Sequence, residues 1–390
     1  MYKQFCVVFM TTSDDDFVSP DPWIVAPNKA VKGRGAVSNL AGRFETQITE
    51  VIDDGWWQDD EEKPNASTQV THEIAKTILT RNQSPDLPFS ISLNPYRGCE
   101  HGCIYCFARP THAYLGLSPG LDFETRLYAK VNAAELLRRE FAAPSYTPSS
   151  IALGVNTDAY QPCERKLMLT RQVLEVLREC KHPVGLITKS SLIERDMDIL
   201  ADMAKDQLVV AAVTITTLDH SISRTLEPRA ASPTRRLETI RRLSNAGIPV
   251  SVSVAPIIPF VTDHDMEKII TAAFDAGATC AGYTILRLPW EVNPLFQQWL
   301  DTHFPDRAER VMNRIRDMRG GKDYDASFGS RMKGEGLWAD MIRQRFEKAV
   351  GRLNVGRSSR FNWLDTTKFR KPLSIPATKK RGDEQLDFFS

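Results

Sequence analysis

Six short runs rich in apolar and β-branched residues alternate with helical stretches between about residues 88 and 300. This alternation predicts strand–helix units and a parallel sheet, because parallel strands need a crossover connection long enough to hold a helix. The predicted strands are residues 89–94, 151–156, 184–188, 208–216, 249–254 and 279–286. The predicted helices between them are residues 132–141, 165–180, 193–205, 233–246 and 263–276. The pattern alone allows either a barrel or a doubly wound open sheet.

Three closely spaced cysteines, Cys99, Cys103 and Cys106, follow the first predicted strand, and their C-x3-C-x2-C spacing suits one iron–sulfur cluster. A structural zinc or a closed [4Fe–4S] site normally takes four protein ligands. The remaining cysteines, at positions 6, 163, 180 and 280, show no second paired spacing. Three thiolates on a four-iron cluster would leave one iron open for chemistry. Gly98 and Gly102 suit a loop around a bulky cluster, and reduced, inert cysteines are the alternative.

The cysteine spacing, with the aromatic Tyr105 just before the last cysteine, resembles the signature of the radical SAM superfamily. The resemblance implies a [4Fe–4S] cluster on Cys99, Cys103 and Cys106, with S-adenosylmethionine (SAM) chelated by the open iron. It also implies that one electron from the reduced cluster splits SAM to a 5′-deoxyadenosyl radical. The implied fold is an α/β partial (βα)6 TIM-type barrel, in which reacting groups lie at the C-terminal ends of the strands.

The polar residues at the ends of the second and third predicted strands are candidates for binding SAM. Asn156, Thr157 and Asp158 follow the second strand, where the resemblance implies contact with the amino group of SAM. The same residue types also favour turns, which is the alternative. Lys189 and Ser190 follow the third strand, and the Lys189 ammonium is suited to the carboxylate of SAM.

The fourth predicted strand ends at Thr216, and the loop beyond it carries Glu227 and Arg229 on either side of a proline. This carboxylate and this guanidinium are candidates for the ribose hydroxyls and the methionine carboxylate of SAM. Pairing with each other or with solvent is the alternative. We include Tyr105 and Thr216 in the candidate cofactor site, and Arg287 and Trp290, after the sixth strand, are candidates for its substrate side.

Four further stretches resemble the spore photoproduct lyase-related branch of uncharacterised bacterial radical SAM proteins; they are residues 94–99, 187–190, 226–229 and 236–243. Spore photoproduct lyase abstracts hydrogen from a thymine dimer in DNA, and a cysteine near the end of its second strand returns a hydrogen atom. The matching stretch here, residues 155–158, contains no thiol. Photoproduct reversal is therefore not carried over, and Cys163 is the candidate hydrogen-atom donor.

The sequence predicts four regions: an N-terminal arm (1–85) that is partly extended or disordered, a barrel (86–300), a helical extension with a glycine-rich loop (301–364) and a flexible basic tail (365–390). With 42% hydrophobic and 25% charged residues the chain has an ordinary globular composition. No apolar run approaches the roughly 20 residues of a membrane-spanning helix. The odd number of cysteines suits a reducing compartment, so we expect a cytoplasmic protein without a membrane partner.

The predicted tail ends in an apolar peptide that contains Gln385, Leu386, Phe388 and Phe389 after a lysine-rich stretch. It resembles the peptide by which bacterial proteins bind the sliding clamp, and such a segment is suited to docking into a partner's groove. Packing on its own protein is the alternative. A net charge of +1 gives no global electrostatic case for nucleic-acid binding, so any such role must come from local patches.

The leading functional hypothesis is a radical reaction on nucleic acid, in the repair or modification of DNA. Radical modification of a peptide or small molecule is one alternative, and a non-catalytic iron–sulfur regulatory or binding protein is another. A flavodoxin or a ferredoxin would be the electron donor. The glycine-rich loop at residues 319–336 is interpreted as a lid or substrate loop, with a nucleic-acid clamp as the alternative.

Overall fold

The computed structural model describes residues 31–45, 67–353 and 363–373. Most of the predicted N-terminal arm and the tail motif of Gln385, Leu386, Phe388 and Phe389 lie outside these residues. The strands are β1 Gln69–Glu73, β2 Leu79–Arg81, β3 Ile91–Leu93, β4 Tyr96–Arg97, β5 Arg126–Lys130, β6 Ile151–Leu153, β7 Val184–Thr188, β8 Val209–Thr214, β9 Val250–Ile257 and β10 Cys280–Ile285.

The α-helices of the described residues lie mainly between and after these strands. They are α1 Leu121–Thr125, α2 Ala133–Ala142, α3 Glu164–Leu167, α4 Leu169–Glu179, α5 Met197–Lys205, α6 His220–Leu226, α7 Pro233–Asn245, α8 Met266–Asp275, α9 Val292–His303, α10 Ala308–Asp317, α11 Ser330–Lys333 and α12 Gly336–Arg352. No helix in the described ranges is long and apolar enough to cross a membrane.

The main sheet has seven strands in the order β10-β9-β8-β7-β6-β3-β2. Six of these strands are parallel, and each lies beside the next one along the chain; they are β3, β6, β7, β8, β9 and β10. β2 pairs antiparallel with β3 at the edge. This consecutive order is that of a TIM-type barrel, whereas a doubly wound sheet reverses its strand order at a switch point. Within the described residues, β10 pairs only with β9. The predicted partial (βα)6 barrel is therefore confirmed.

The six predicted barrel strands are all present, although several end earlier or later than the sequence suggests. The strand predicted for residues 151–156 stops at Leu153, because Gly154 takes a left-handed backbone (φ 86°) and turns the chain. The helix predicted for residues 165–180 is divided into α3 and α4 at Met168, which is also left-handed (φ 53°). Glu164, fully buried, stabilises this break by accepting a hydrogen bond from the Thr170 amide at 3.1 Å.

Two buried apolar clusters hold the barrel and position its loops. The larger one joins the strands to the inward faces of the surrounding helices, such as Val173 and Leu177 of α4. The second lies among the loops beyond the carboxyl ends of the strands, where Ile104 of the cysteine loop packs in one cluster with Leu226 and Leu286. Residues that follow β3, β8 and β10 thus share one core, because each loop must bury its apolar side chains.

The C-terminal helices connect the two edges of the partial barrel. Phe346 of α12 packs against Tyr283 of the edge strand β10, with ring centroids 4.7 Å apart. Arg331 of α11 forms a bidentate ion pair at 2.6 and 2.7 Å with Asp86, which lies between β2 and β3. The extension therefore bridges the first and last strands, and a separate small sheet of β1, β5 and β4 packs beside the cysteine loop.

Candidate active site

The three clustered cysteines lie on the loop that follows β4, beyond the carboxyl end of the first barrel strand. Cys99 and Cys103 are each 7% exposed, and Cys106 is half-buried. Gly98 and Gly102 both have left-handed backbones, with φ of 74° and 67°. A Cβ atom on Gly102 would lie 2.6 Å from Glu124 Oε2, so only glycine fits there. The expected role of these glycines in a tight loop agrees with this geometry.

A buried ion pair between Arg109 and Glu124 anchors the cysteine loop, and both side chains are fully buried. Arg109 also donates to the backbone carbonyls of Cys103 (2.9 Å) and Gly102 (3.2 Å). Glu124 in turn accepts from the backbone amides of Gly35 and Ala36 at 3.0 and 2.8 Å. This pair ties the cysteine loop to the segment 31–45, and nothing in the residue pattern pointed to it.

The loops that follow β6 and β8 hold the cysteine loop from its other sides. The Gln161 side chain accepts from the Glu100 amide at 2.8 Å and donates to the Gly98 carbonyl at 3.2 Å. The Ile104 amide donates to the Leu226 carbonyl at 3.1 Å. Backbone groups on both sides of the three thiols are therefore fixed before any cofactor binds.

The three thiols share one low-dielectric environment. Burial raises the pKa of Cys103 to about 12, and the charges of Glu227 and Cys106 add to this while Lys189 opposes it. Burial also raises the pKa of Cys99 well above its usual value, with Asp158, Cys103 and Cys106 acting in the same direction. A bound metal replaces the thiol protons and compensates the thiolate charges. The three thiols therefore suit a cofactor whose metal prefers soft sulfur ligands.

In the part of the chain that the structure describes, no group of three or more His, Cys, Asp or Glu side chains is arranged to hold a metal ion. In an iron–sulfur cluster each cysteine binds a different iron atom, so the three thiols need not converge on one point.

A buried hydrogen-bonded network links the cysteine loop to the loop after β8. The hydroxyls of Tyr105 and Thr216 both donate to Glu227 Oε1, while Arg236 pairs with Glu227 Oε2. Burial by itself raises the pKa of Glu227, but the charges of Arg236 and Lys189 hold that pKa below its usual value. Both carboxylate oxygens of Glu227 are therefore occupied, and the group acts as the centre of a fixed network.

Glu227→Gln is expected to lower the free energy of unfolding by about 1 to 3 kcal/mol, because Arg236 would lose its charged partner in a buried site. The amide keeps one acceptor oxygen for Tyr105, which limits the loss. Urea denaturation measures the change. The matched control is Glu194→Gln, since Glu194 pairs with the much more exposed Arg235 and Arg242. Equal losses in the two variants would contradict a special role for the buried network.

Asp158 is also engaged by protein groups. Its oxygens accept from Thr188 Oγ1, the Lys189 amide and the Tyr160 amide, each at 2.8 Å, and His101 Nδ1 lies 3.3 Å away. Burial raises the pKa of Asp158, but the charge of His101 and these hydrogen bonds together lower it to about 2. Asp158 thus joins the ends of β6 and β7 to the cysteine loop.

The remaining predicted cofactor residues divide into engaged and available groups. Thr157 donates from its hydroxyl to the Tyr96 carbonyl at 3.1 Å, and Ser190 accepts the Leu192 amide at 3.2 Å as a helix cap. Arg229 is exposed and pairs with Glu100 at 2.5 Å. Asn156 is exposed, and its side chain forms no hydrogen bond with any described residue.

Among these candidates, the ammonium group of Lys189 is the cation most available to a ligand. Its Nζ lies 5.7 Å from the centroid of the Tyr105 ring, and no described carboxylate forms an ion pair with it. Burial lowers the pKa of Lys189, but the charges of Cys103 and Glu227 overcome this and raise it. A cationic ammonium therefore faces the cysteine loop, where a carboxylate ligand is able to reach it.

Cys163, the candidate hydrogen-atom donor, lies at the start of α3. Its half-buried thiol packs with Tyr96, Ala129 and Leu169, in a different apolar cluster from that of Cys99. Burial is the main reason that its pKa rises to about 12, and the charges of Glu100 and Glu164 act in the same direction. The structure therefore does not place Cys163 in one apolar cluster with the cysteine loop.

An exposed aromatic ring and an arginine lie at the end of the cysteine loop. Phe107 directly follows Cys106 and is 42% exposed, with the guanidinium of Arg287 5.2 Å from its ring centroid. Arg287 follows β10, and its Nε atom is buried without a hydrogen-bond partner among the residues that the structure describes. Tyr324 of the glycine-rich loop lies 3.3 Å from Arg287 Nη2. The predicted substrate-side residue Arg287 therefore lies beside the cysteine loop.

A second aromatic group contains Trp290, the other predicted substrate-side residue. The Arg43 guanidinium lies 4.6, 4.7 and 5.1 Å from the ring centroids of Trp290, Phe44 and Tyr114. Glu291 holds Arg43 in place, because Arg43 Nη1 donates to both of its carboxylate oxygens at 3.0 and 3.1 Å. Trp290 is 64% exposed and has a left-handed backbone (φ 45°), which is unusual for a bulky residue.

Comparisons with known proteins agree with this geometry. The family model of the radical SAM superfamily matches residues 93–273. An uncharacterised protein of Mycobacterium tuberculosis is 36% identical over 251 residues, which cover 63% of this chain and 73% of that protein. A radical SAM Nalpha-GlyT isomerase of Pseudomonas phage M6 is 25% identical over 213 residues, or 54% of this chain and 39% of that protein.

Among solved structures, spore photoproduct lyase complexed with dinucleoside spore photoproduct has a similar fold. Its TM-score is 0.52 at 12% identity, over 74% of this chain and 80% of that chain. The family match begins at the end of β3 and includes the cysteine loop and the network around Glu227. The chain therefore belongs to the radical SAM superfamily, and it is an enzyme whose cofactors are a [4Fe–4S] cluster and SAM.

Proposed function

We propose that Cys99, Cys103 and Cys106 bind the [4Fe–4S] cluster and that the enzyme acts on nucleic acid. When bound and reduced, the cluster supplies the electron that splits SAM to the 5′-deoxyadenosyl radical. The three-thiol donor set supports this assignment, because no other cysteine of the described residues belongs to either of the two apolar clusters that contain Cys99, Cys103 and Cys106. An electron donor is required, and a flavodoxin or a ferredoxin remains our prediction for it.

The predicted SAM residues fall into two groups, according to how fully other protein groups already engage their polar atoms. We assign direct contact with SAM to Asn156, Lys189 and Arg229, whose side chains are exposed or face the cysteine loop without a full set of partners. We assign positioning roles to the residues whose polar atoms are already engaged; they are Tyr105, Thr157, Asp158, Ser190, Thr216 and Glu227.

The nucleic-acid target rests on one observation, two exposed aromatic rings beside arginines, one pair at the end of the cysteine loop and the other on the loop that follows β10. Phe107 with Arg287, and Trp290 with Arg43, each combine an accessible ring with a guanidinium. Aromatic rings stack on nucleobases of any sequence, and guanidinium groups bind phosphate and also stack. Such pairs are suited to holding an unstacked base close to a reactive centre.

Two relatives make this target chemically reasonable. Spore photoproduct lyase was solved with dinucleoside spore photoproduct, so a protein of this fold binds a dinucleoside. The phage relative is named as an isomerase of Nalpha-GlyT. A substrate peptide or small molecule is the alternative, and sliding-clamp binding through the tail stays a prediction of the sequence.

Trp290→Ala is expected to weaken binding of a fluorescein-labelled single-stranded oligonucleotide roughly five- to hundred-fold, because one stacked base contributes about 1 to 3 kcal/mol. Fluorescence anisotropy of the anaerobically reconstituted enzyme measures the affinity. Circular dichroism and iron content verify that the variant is folded and loaded.

The matched control for this test is Leu337→Ala, which removes an 86% exposed apolar side chain from α12. The proposal requires the control to bind the oligonucleotide as the wild type does. A wild-type protein with no measurable affinity for single-stranded DNA or RNA would favour the peptide or small-molecule alternative.

A further inference from the structure

A recess of about 370 Å³ opens between α6 and α7, on the loops that follow the carboxyl end of β8. Its lining includes His220, Ser223, Arg224, Glu227, Ser232 and Pro233. Glu227 also belongs to the network that reaches Tyr105 of the cysteine loop. The recess therefore lies on the same side of the barrel as the candidate active site, and none of the roles assigned so far uses it.

The recess contains the N-terminus of the 13-residue helix α7. Ser232 is the N-cap and accepts the Arg235 amide at 3.3 Å, while Pro233 occupies the first helical position. Amide groups in the first turn of a helix carry partial positive charge and attract anions. This feature favours an anionic ligand, although a helix terminus alone would not define a site.

The second observation is an unpaired hydroxyl on a residue that lines the recess. Ser223 is 6% exposed as a whole residue, and its side chain forms no hydrogen bond with any residue in the described ranges. A ligand in the recess that accepts a hydrogen bond would supply the missing partner.

The charges around the recess favour an anion. Arg224 is exposed, donates from Nε to the His220 carbonyl at 3.3 Å, and pairs with no carboxylate in the described part of the chain. Its terminal nitrogens are therefore available. The lining carboxylate, Glu227, is already neutralised by its buried ion pair with Arg236. His220, whose Nε2 lies 2.9 Å from Thr234 Oγ1, adds a further polar ring.

We propose that this recess binds a phosphate group of the polynucleotide substrate through Arg224, Ser223 and the N-terminus of α7. The inference rests on the proposed function and extends it, because it places part of the substrate's backbone beyond the cysteine loop. Arginine suits phosphate because its planar fork makes two hydrogen bonds to one anion. The Ser223 hydroxyl supplies a further donor. In the first turn of α7, Pro233 has no N–H and the Arg235 and Arg236 amides already donate to Ser232, so the helix contributes the Thr234 amide.

The test is the salt dependence of oligonucleotide binding by the reconstituted Arg224→Ala enzyme. We expect a several-fold loss of affinity for a fluorescein-labelled single-stranded oligonucleotide. The slope of log affinity against log salt should fall by about one, as expected for the loss of one phosphate contact. Arg241→Ala is the matched control, since Arg241 is an exposed residue of α7 that pairs with Glu238 away from the recess lining.

If Arg224→Ala binds the oligonucleotide with the affinity and the salt slope of the wild type, the phosphate site is overturned and the nucleic-acid function stands. A second measurement separates the two proposals: the thermal shift caused by inorganic phosphate in wild type, Arg224→Ala and Ser223→Ala. A shift confined to wild type supports the recess as a phosphate site. If the wild type shows that shift but binds no oligonucleotide, the ligand is free phosphate, and both the polynucleotide ligand and the proposed function are overturned.

Discussion

Cys103→Ala is expected to abolish 5′-deoxyadenosine formation and to remove most of the bound iron. Cys103 is a buried thiol whose pKa rises to about 12, so it stays protonated in the absence of metal at neutral pH. Removing it would leave only two cysteine ligands in the loop, and the cluster would lose one of its attachments. Iron content and chromatography of the nucleoside products, after reconstitution and dithionite reduction with SAM, measure the effect.

Cys180→Ala is the control for this experiment. Cys180 is buried in the main core, far along the chain from the cysteine loop, and packs among α4 residues such as Val176 and Leu177. We expect this variant to retain iron and 5′-deoxyadenosine formation. Full activity in Cys103→Ala, or an equal loss in both variants, would contradict the assignment of Cys103 as a cluster ligand.

Arg109→Met is expected to lower the free energy of unfolding by about 3 to 5 kcal/mol, because it leaves the fully buried Glu124 carboxylate without its charged partner. It also removes hydrogen bonds to the Gly102 and Cys103 carbonyls, so the cysteine loop should hold less iron. Urea denaturation and iron analysis of identically reconstituted proteins provide the two readouts.

A matched comparison separates burial from charge removal. Arg138→Met breaks an ion pair with Glu179 in which both side chains remain partly exposed, so the expected loss is below about 1 kcal/mol. A double-mutant cycle of Arg109→Met with Glu124→Gln should give a total loss smaller than the sum of the single losses, since the two groups are in contact. Additive losses would show that the pair does not act as a unit.

The barrel was predictable because its strands and helices repeat a local pattern. The prediction for β7 matches Val184–Thr188 residue for residue, and α7 ends at Asn245, one residue before the predicted end. The small sheet was missed, since β4 has only two residues and β1 is mostly exposed, which leaves no apolar periodicity to detect. Helix breaks such as that at Met168 depend on the buried Glu164, a tertiary effect.

The candidate site was predictable in position more than in role. The ends of consecutive parallel strands meet at one side of a barrel, so the sequence predicts Asn156, Lys189 and Glu227 at that side. Their partners were not predictable, because the Asn94 side chain that accepts from the Asn156 amide is 62 residues away in sequence and the Asp158 side chain that accepts from the Lys189 amide is 31 residues away. Whether a polar side chain is available to a ligand depends on those contacts, which no local pattern encodes.

The assignment of one three-cysteine cluster is tested most directly by spectroscopy and product analysis of the wild-type enzyme, purified and reconstituted without oxygen. We expect about four iron atoms per chain, a paramagnetic signal after dithionite reduction that changes when SAM is added, and formation of 5′-deoxyadenosine. Protein that binds zinc in place of iron, or that holds four irons yet leaves SAM intact after reduction, would contradict it.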